Sequence, residues 1–132
     1  MKLRSEEYEI AAYLHDAGKV AIPKSILDKP DALTIEEFKL MKRHPVYTME
    51  IISMVSELTD LVRIAAGHHE TYDGRGYPDG TFGENIPLGA RIMAVADAFD
   101  AMTSLRPYQK TKNKDEAKAI LDQYSGSQFD PE

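Results

Sequence analysis

A glycine-rich segment divides this chain into two helix-forming parts. Residues 71–86 (TYDGRGYPDGTFGENI) contain four of the eight glycines in the 132-residue sequence, so a regular helix cannot pass through them. Strong helix formers and capping patterns lie on both sides, and no segment shows the alternation of a convincing strand. Apolar residues make up 42% of the chain, which is enough for one core. We therefore predict a single all-α domain over residues 1–132, with a Gly-rich loop between its helices.

Capping residues set the boundaries of the predicted helices. Two capping boxes, Thr34 with Glu37 and Asn113 with Glu116, predict helices that begin at residues 35 and 114. Thr59 is predicted to cap a helix that continues to about residue 70. Residues 20–33 are predicted to be a loop with a short turn at 25–27. The predicted helices, in chain order, span residues 5–16, 35–44, 46–55, 60–70, 87–103 and 114–124.

Composition excludes several classes of protein. The chain has no cysteine, which excludes a disulfide scaffold and a thiolate metal site. The net charge of −6 argues against binding to long nucleic acid through its phosphates. No apolar run approaches the roughly 20 residues that span a bilayer, and the N-terminus shows no signal peptide. We therefore expect a cytoplasmic protein with no membrane contact.

The histidines point to a metal site. All four lie in the segments LHDAGK, KRHP and GHHE. An isolated histidine is usually a surface or core residue, but His15 precedes Asp16 and His68 precedes His69, each pair near a predicted helix end. Neighbouring helical residues point about 100° apart, so a pair can face one site only where the chain bends. Imidazole and carboxylate ligands without thiolate suit zinc, manganese or iron better than calcium or magnesium.

Charged residues near these histidines suggest further roles. Asp97 lies in an apolar helix, where a carboxylate is costly unless it is paired or binds a metal; a buried cap or ion-pair partner is the alternative. Lys19, just beyond the His-Asp pair, suits a phosphoryl oxygen, or else is a solvated surface lysine. Arg106, Lys110 and Lys112 offer a second, weaker phosphate contact or simply an exposed basic turn.

The Gly-rich loop contains a constrained segment, Asp73-Gly74-Arg75-Gly76-Tyr77-Pro78. Its glycines permit left-handed backbone or close approach to a ligand. The ring of Tyr77 could stack on a nucleobase, and Pro78 fixes the exit from the segment. A tight turn without a binding role is the alternative, so the loop alone does not identify a function.

The order of these motifs resembles the HD-GYP family. HHE followed by DGxGYP is highly specific, whereas an HD pair alone is weak, and the resemblance covers nearly the whole chain. The matching segments are His15-Asp16-Ala17-Gly18-Lys19, Ile22-Pro23, His44-Pro45, His68-His69-Glu70, residues 73–78, Ala96-Asp97-Ala98-Phe99-Asp100-Ala101, Ser104-Leu105-Arg106-Pro107-Tyr108 and Phe129-Asp130-Pro131.

The resemblance implies an HD-type helical bundle with phosphodiesterase activity. Members are bacterial enzymes that degrade cyclic di-GMP to the linear dinucleotide or GMP, with two or three metals that are commonly iron or manganese; zinc, nickel and magnesium are alternatives. A metal-activated water attacks phosphorus, so no Ser or Cys nucleophile is needed. By resemblance, Asp16 would bridge two metals. His15 and Asp97 would help to hold one metal, and His44, His68 and His69 would hold the other. The implied substrate contacts are Lys19, Tyr77, Arg106 and Lys110.

The sequence also departs from the family pattern. The upstream ligand histidine and the helix that follows Phe129-Asp130-Pro131 in members are not found, so we expect a core fragment lacking helices at both ends. One of the two metal sites should then be weakened, and uncovered apolar faces should favour a homodimer. One alternative function is an impaired metal-binding module whose Gly-rich loop docks a partner such as a diguanylate cyclase. The other is a generic HD phosphohydrolase acting on mononucleotides.

Overall fold

The computed structural model describes residues 4–106 and 109–132, and these residues confirm the all-α prediction. Within them, β-structure is limited to two isolated bridges, and short 3-10 turns join the helices. Pro107 and Tyr108, which belong to one of the matching segments, lie outside the described residues. The α-helices are α1 (Ser5–Leu14), α2 (Lys24–Leu27), α3 (Ile35–Met41), α4 (His44–Ser53), α5 (Val62–Ala66), α6 (Leu88–Thr103) and α7 (Lys114–Gln123).

Both capping boxes form as predicted. The Thr34 hydroxyl accepts a hydrogen bond from the Glu37 amide at 3.2 Å, and the Glu37 carboxylate accepts one from the Thr34 amide at 2.7 Å. At the start of α7, the Asn113 side chain accepts from the Glu116 amide at 2.9 Å, and Glu116 accepts in return from the Asn113 amide. Each box satisfies two backbone donors that a helix N-terminus leaves free, which explains the accurate starts.

The prediction of one continuous helix over residues 60–70 is wrong. The chain forms a 3-10 turn at Ser56–Leu61, the five-residue α5, and a second 3-10 turn at Gly67–His69. Thr59 does not cap a helix, because its hydroxyl donates to the Ser56 carbonyl at 2.9 Å and so belongs to the first turn. Such local hydroxyl bonds compete with helix capping. The buried apolar face of α5 holds this segment in place despite its short length.

The core lies where α1, α4, α5 and α6 meet. Its buried apolar residues are Ala11, Ile52, Leu61, Ile64, Ala65 and Met93. Helix α6 approaches α1 closely at Gly89, where an added Cβ would lie 2.6 Å from the Tyr8 ring. These four helices form the body from which the histidine-bearing helix ends project.

Contacts at two places hold the Gly-rich loop. The amides of Tyr72 and Asp73 donate to the carbonyls of Gln128 and Ser127 at 3.1 and 2.9 Å, which ties the loop to the C-terminal segment. On its other side, Gly76 packs against the chain after the histidine pair, and a Cβ there would lie 2.4 Å from the His69 carbonyl oxygen. Among the helices of the described ranges, none is long and apolar enough to cross a membrane.

Candidate metal centre

The fold brings the predicted ligands together at one end of the helical body. His15 follows the last residue of α1, His44 is the first residue of α4, and His68 lies in the 3-10 turn after α5. Asp97 projects from the middle of α6. The chain bends at His15 and at His68, as the adjacent His-Asp and His-His pairs predicted.

Backbone carbonyl groups orient three of the imidazoles. The Nδ1 atoms of His15, His44 and His68 lie 2.5, 2.7 and 2.8 Å from carbonyl oxygens three residues earlier in the chain. An Nδ1–H donated to a carbonyl fixes the tautomer in which Nε2 carries the free lone pair. Each helix end therefore presents Nε2 to the space between the helices, which is the arrangement of a metal-ligating histidine.

Asp16 lies at the centre of the site and divides the other groups between its two oxygens. Its Oδ1 is 3.4 Å from His44 Nε2 and 3.7 Å from His68 Nε2. Its Oδ2 is 3.4 Å from His15 Nε2 and 2.8 Å from Lys19 Nζ. Across the site, Asp97 Oδ1 lies 3.8 Å from His15 Nε2. One carboxylate thus faces two sets of nitrogen donors.

The donor set fits divalent metal ions. Ligand atoms within 4.8 Å of one another occur in two groups, His44 with His68 and His69, and His15 with Asp16 and His68. The Nε2 atoms of His44 and His68 are buried and have no hydrogen-bond partner among the residues that the structure describes. Buried polar atoms are rarely left without a partner, and a metal ion would satisfy both.

Burial keeps two histidines in the form that binds metal. It lowers the pKa of His68 to about 4 and that of His69 to about 3, the latter helped by the neighbouring histidines. Both imidazoles are therefore neutral near pH 7, and neutral imidazole is the ligating form.

The carboxylate of Asp16 is ionised over the whole working range of pH. Burial alone would raise its pKa, but the close approach of the His15 and His44 nitrogens and the hydrogen-bonded Lys19 ammonium outweigh burial and hold the pKa well below its usual range. The same contact with Asp16 raises the pKa of His15. An anionic carboxylate beside the neutral imidazoles of His68 and His69 is a charge pattern that suits a divalent cation.

A cavity of about 400 Å³ opens beside the histidines, and His68, His69 and Asp97 contribute to its wall. The Tyr77 ring also lines it and stacks on His69, with ring centroids 4.8 Å apart and planes 18° apart. Burial, followed by the charges of Asp16 and Asp97, raises the pKa of Tyr77 to about 12. Tyr77 therefore presents a neutral phenol at the entrance to the site.

The predicted phosphate contacts fall into two groups. Lys19 lies at the centre, paired with Asp16. Arg106 instead lies 4.0 Å from Asp100, and Lys110 lines a separate depression on α7, so the described cavity wall includes neither. Their contact with substrate stays a prediction.

Sequence reasoning missed two buried residues that support the site. Thr48, on α4, accepts a hydrogen bond from the Gly18 amide at 2.9 Å and donates to the His15 carbonyl at 3.2 Å. Glu70 is 6% exposed and accepts from the Asp79 amide at 2.7 Å, which closes the Gly-rich loop. Its place in the HHE motif was a usable signal for Glu70, whereas Thr48 is unremarkable in the sequence because its partners are distant along the chain.

Thr48→Val should destabilise the protein. Valine has nearly the same shape but leaves the buried Gly18 amide without an acceptor, which costs about 1–3 kcal/mol. Urea unfolding measures the loss, and Thr48→Ser, which keeps the hydroxyl, should recover most of it. Equal stability of the valine and wild-type proteins would contradict this role.

The sequence is similar to a known family and to several known proteins. A family model described as "HD domain" matches residues 2–132. The chain is 53% identical to the cyclic di-GMP phosphodiesterase response regulator RpfG of Xanthomonas campestris pv. campestris, over 93% of the chain and 33% of that protein. It is 46% identical to a cyclic di-GMP phosphodiesterase of Thermotoga maritima, over 96% of the chain and 35% of that protein.

A third relative has a different named substrate. The 3'3'-cGAMP-specific phosphodiesterase 3 of Vibrio cholerae is 42% identical over 92% of the chain and 26% of its own length. The chain thus spans about a third or less of the length of these relatives. The match over residues 2–132, together with the helical fold and the clustered His and Asp residues, establishes that the chain belongs to the HD domain family.

Proposed function

We propose that this chain is the core of a metal-dependent phosphodiesterase that hydrolyses cyclic di-GMP in bacterial second-messenger signalling. The observation that carries the proposal is the position of Asp16, whose two oxygens face separate sets of histidine nitrogens. A carboxylate placed in this way could contribute to two metal sites, and a pair of metal ions would stabilise the attacking and leaving oxygens of a phosphoryl group. The names of two relatives, both cyclic di-GMP phosphodiesterases, support the choice of substrate.

The two ligand groups would hold one metal each. His44, His68 and His69 supply three nitrogen donors, while His15 and Asp97 supply a nitrogen and an oxygen on the other side of Asp16. When bound, the ions supply positive charge at the phosphoryl oxygens and lower the pKa of the attacking water. Imidazole and carboxylate donors favour iron or manganese, with zinc, nickel and magnesium as alternatives for assay.

The remaining residues of the site position the substrate. Lys19 offers an ammonium group 2.8 Å from Asp16 and would contact a nonbridging phosphoryl oxygen. Tyr77 stacks on the His69 ring and also lines the cavity. Water is the nucleophile in this proposal, because the Thr71 hydroxyl that lines the cavity donates to Asp73. Hydrolysis of a second messenger implies a cytoplasmic location.

The test of the proposal is hydrolysis by the metal-loaded protein. Cyclic di-GMP, 3'3'-cGAMP and a generic phosphodiester are supplied in turn, and products are separated by chromatography. We expect turnover of cyclic di-GMP by the wild type and none by a His68→Ala, His69→Ala variant, which has lost two ligands. Equal turnover by the variant would reject the metal centre. Bound metal with no turnover of any substrate would favour the alternative, an interaction module whose Gly-rich loop docks a diguanylate cyclase.

Faster turnover of a substrate other than cyclic di-GMP would change the substrate assigned in this proposal. Faster hydrolysis of 3'3'-cGAMP than of cyclic di-GMP would assign the substrate named for the Vibrio cholerae relative. Hydrolysis of mononucleotides alone would assign a generic HD phosphohydrolase. The predicted homodimer stays a prediction, and light scattering at micromolar concentration measures it directly.

A further inference from the structure

Two residues near the C-terminal end of α3 line the same cavity as the metal ligands, and the proposed chemistry uses neither of them. Lys42 directly follows the last residue of α3, and Phe38 lies one turn earlier. Lys42 Nζ is 5.0 Å from the centroid of the Phe38 ring and 5.4 Å from that of Tyr77. The ammonium group thus lies over two aromatic rings, and all three side chains share the cavity with His68 and His69.

We propose that Phe38, Lys42 and Tyr77 form a guanine-binding subsite beside the metal centre. This inference rests on the proposed function and deepens it by naming the residues that read the base. Aromatic faces stack on nucleobases regardless of sequence, and this supplies affinity. A lysine ammonium has only donors, and guanine presents two acceptors, O6 and N7, on one edge. Adenine presents N7 beside an amino donor, so the same lysine favours guanine.

The surroundings of Lys42 favour a base over a phosphate group as its partner. Among the described residues, no carboxylate lies within ion-pair distance of its ammonium, so its donors are available to a ligand. Lys19 lies on the metal side of the site, where the phosphate belongs, whereas Lys42 lies between flat aromatic faces that a phosphate cannot use. Phe38 is 45% exposed, which leaves ring surface open for stacking. The cavity volume of about 400 Å³ is in the usual range for small-ligand sites, roughly 300–1,000 Å³.

The decisive experiment measures binding of mononucleotides to the metal-loaded protein by calorimetry. The probes are GMP, IMP and AMP, because IMP keeps O6 and N7 of guanine but lacks its amino group. We expect GMP and IMP to bind alike and about tenfold more tightly than AMP. Lys42→Met should bring the three affinities together by weakening GMP and IMP, whereas Lys42→Arg should keep the preference because arginine also supplies donors.

Two further variants test the geometry. Phe38→Leu removes the stacking surface and should weaken all three nucleotides alike, by about fivefold or more. Lys39→Met is the matched control: this lysine lies on the same helix but pairs with Glu36 at 2.8 Å, and it should change nothing. Circular dichroism and metal content of each variant establish that the fold and the centre are intact.

Specific outcomes would overturn the subsite. Equal binding of GMP and AMP by the wild type, or an undiminished GMP preference in Lys42→Met, would do so. An equal loss of GMP and AMP binding in Lys42→Met would assign Lys42 to the phosphate instead. The subsite and the proposed function fail separately. If the protein prefers guanine nucleotides but does not hydrolyse cyclic di-GMP, the subsite stands and the proposed function fails. If it hydrolyses cyclic di-GMP but Lys42→Met does not change the base preference, the proposed function stands and the subsite fails.

Discussion

Asp16→Asn should reduce the proposed hydrolysis of cyclic di-GMP by at least about 1,000-fold, or on the order of 4 kcal/mol of transition-state stabilisation. Asparagine keeps the shape of the side chain but removes the negative charge that faces His15, His44 and His68. It also replaces one ligand oxygen by an amide nitrogen, which is a donor and not a metal ligand. Both proposed metals depend on this residue, so the metal content should fall together with the rate. Elemental analysis and a chromatographic assay of the same preparation measure the two losses.

The matched control for this variant is Asp100→Asn. Asp100 lies one turn beyond Asp97 on α6, but its carboxylate accepts from the Ser104 hydroxyl and takes no part in the histidine cluster. We expect near wild-type metal content. An Asp16→Asn protein that retained both metals and its rate would show that the carboxylate does not bridge them.

Gly18→Ala should cost about 3 kcal/mol or more of folding free energy. An added Cβ would lie 1.9 Å from the His44 carbonyl oxygen and 2.5 Å from the Thr48 amide nitrogen, both of which are backbone atoms of α4. Backbone cannot rotate away as a side chain can, so the turn or the helix must move. That movement separates Asp16 from His44, and hydrolysis should therefore fall with stability. Urea unfolding and the hydrolysis assay measure the two effects.

Gly126→Ala is the control for Gly18→Ala, because it introduces backbone strain without steric crowding by neighbouring atoms. Gly126 has a φ of +79°, but no described atom lies within 4 Å of an added Cβ. Its substitution should cost only about 1 kcal/mol, from the left-handed backbone, and should leave hydrolysis unchanged. A similar cost for the two variants would mean that the α4 contact does not limit Gly18.

The sequence predicted features that depend on neighbouring residues. The capping boxes at Thr34 and Asn113 satisfy donors within one turn, so local chemistry alone fixes the starts of α3 and α7. Likewise, the pairs His15-Asp16 and His68-His69 can converge only at a bend, and both lie at helix ends in the structure.

The interruption of the helix over residues 60–70 could not be predicted in the same way. Thr59 and its neighbours are compatible with a capped helix, yet the chain forms a short helix between two 3-10 turns. Packing of the buried residues Ile64, Ala65 and Ala66 against the rest of the core decides that shape. Local propensity is weak compared with the free energy of burying such a face.

By itself, then, the sequence determined the all-α fold, the non-thiolate donor set and its placement at helix ends, because these follow from residue chemistry and short-range periodicity. The tertiary structure alone decided how Asp16 divides its oxygens between two histidine groups. It also decided that Thr48 supports the Gly18 turn across 30 residues, and that Lys42 lies over the rings of Phe38 and Tyr77. The physical reason is that these contacts join residues far apart in the chain, and no local pattern specifies their distance or direction.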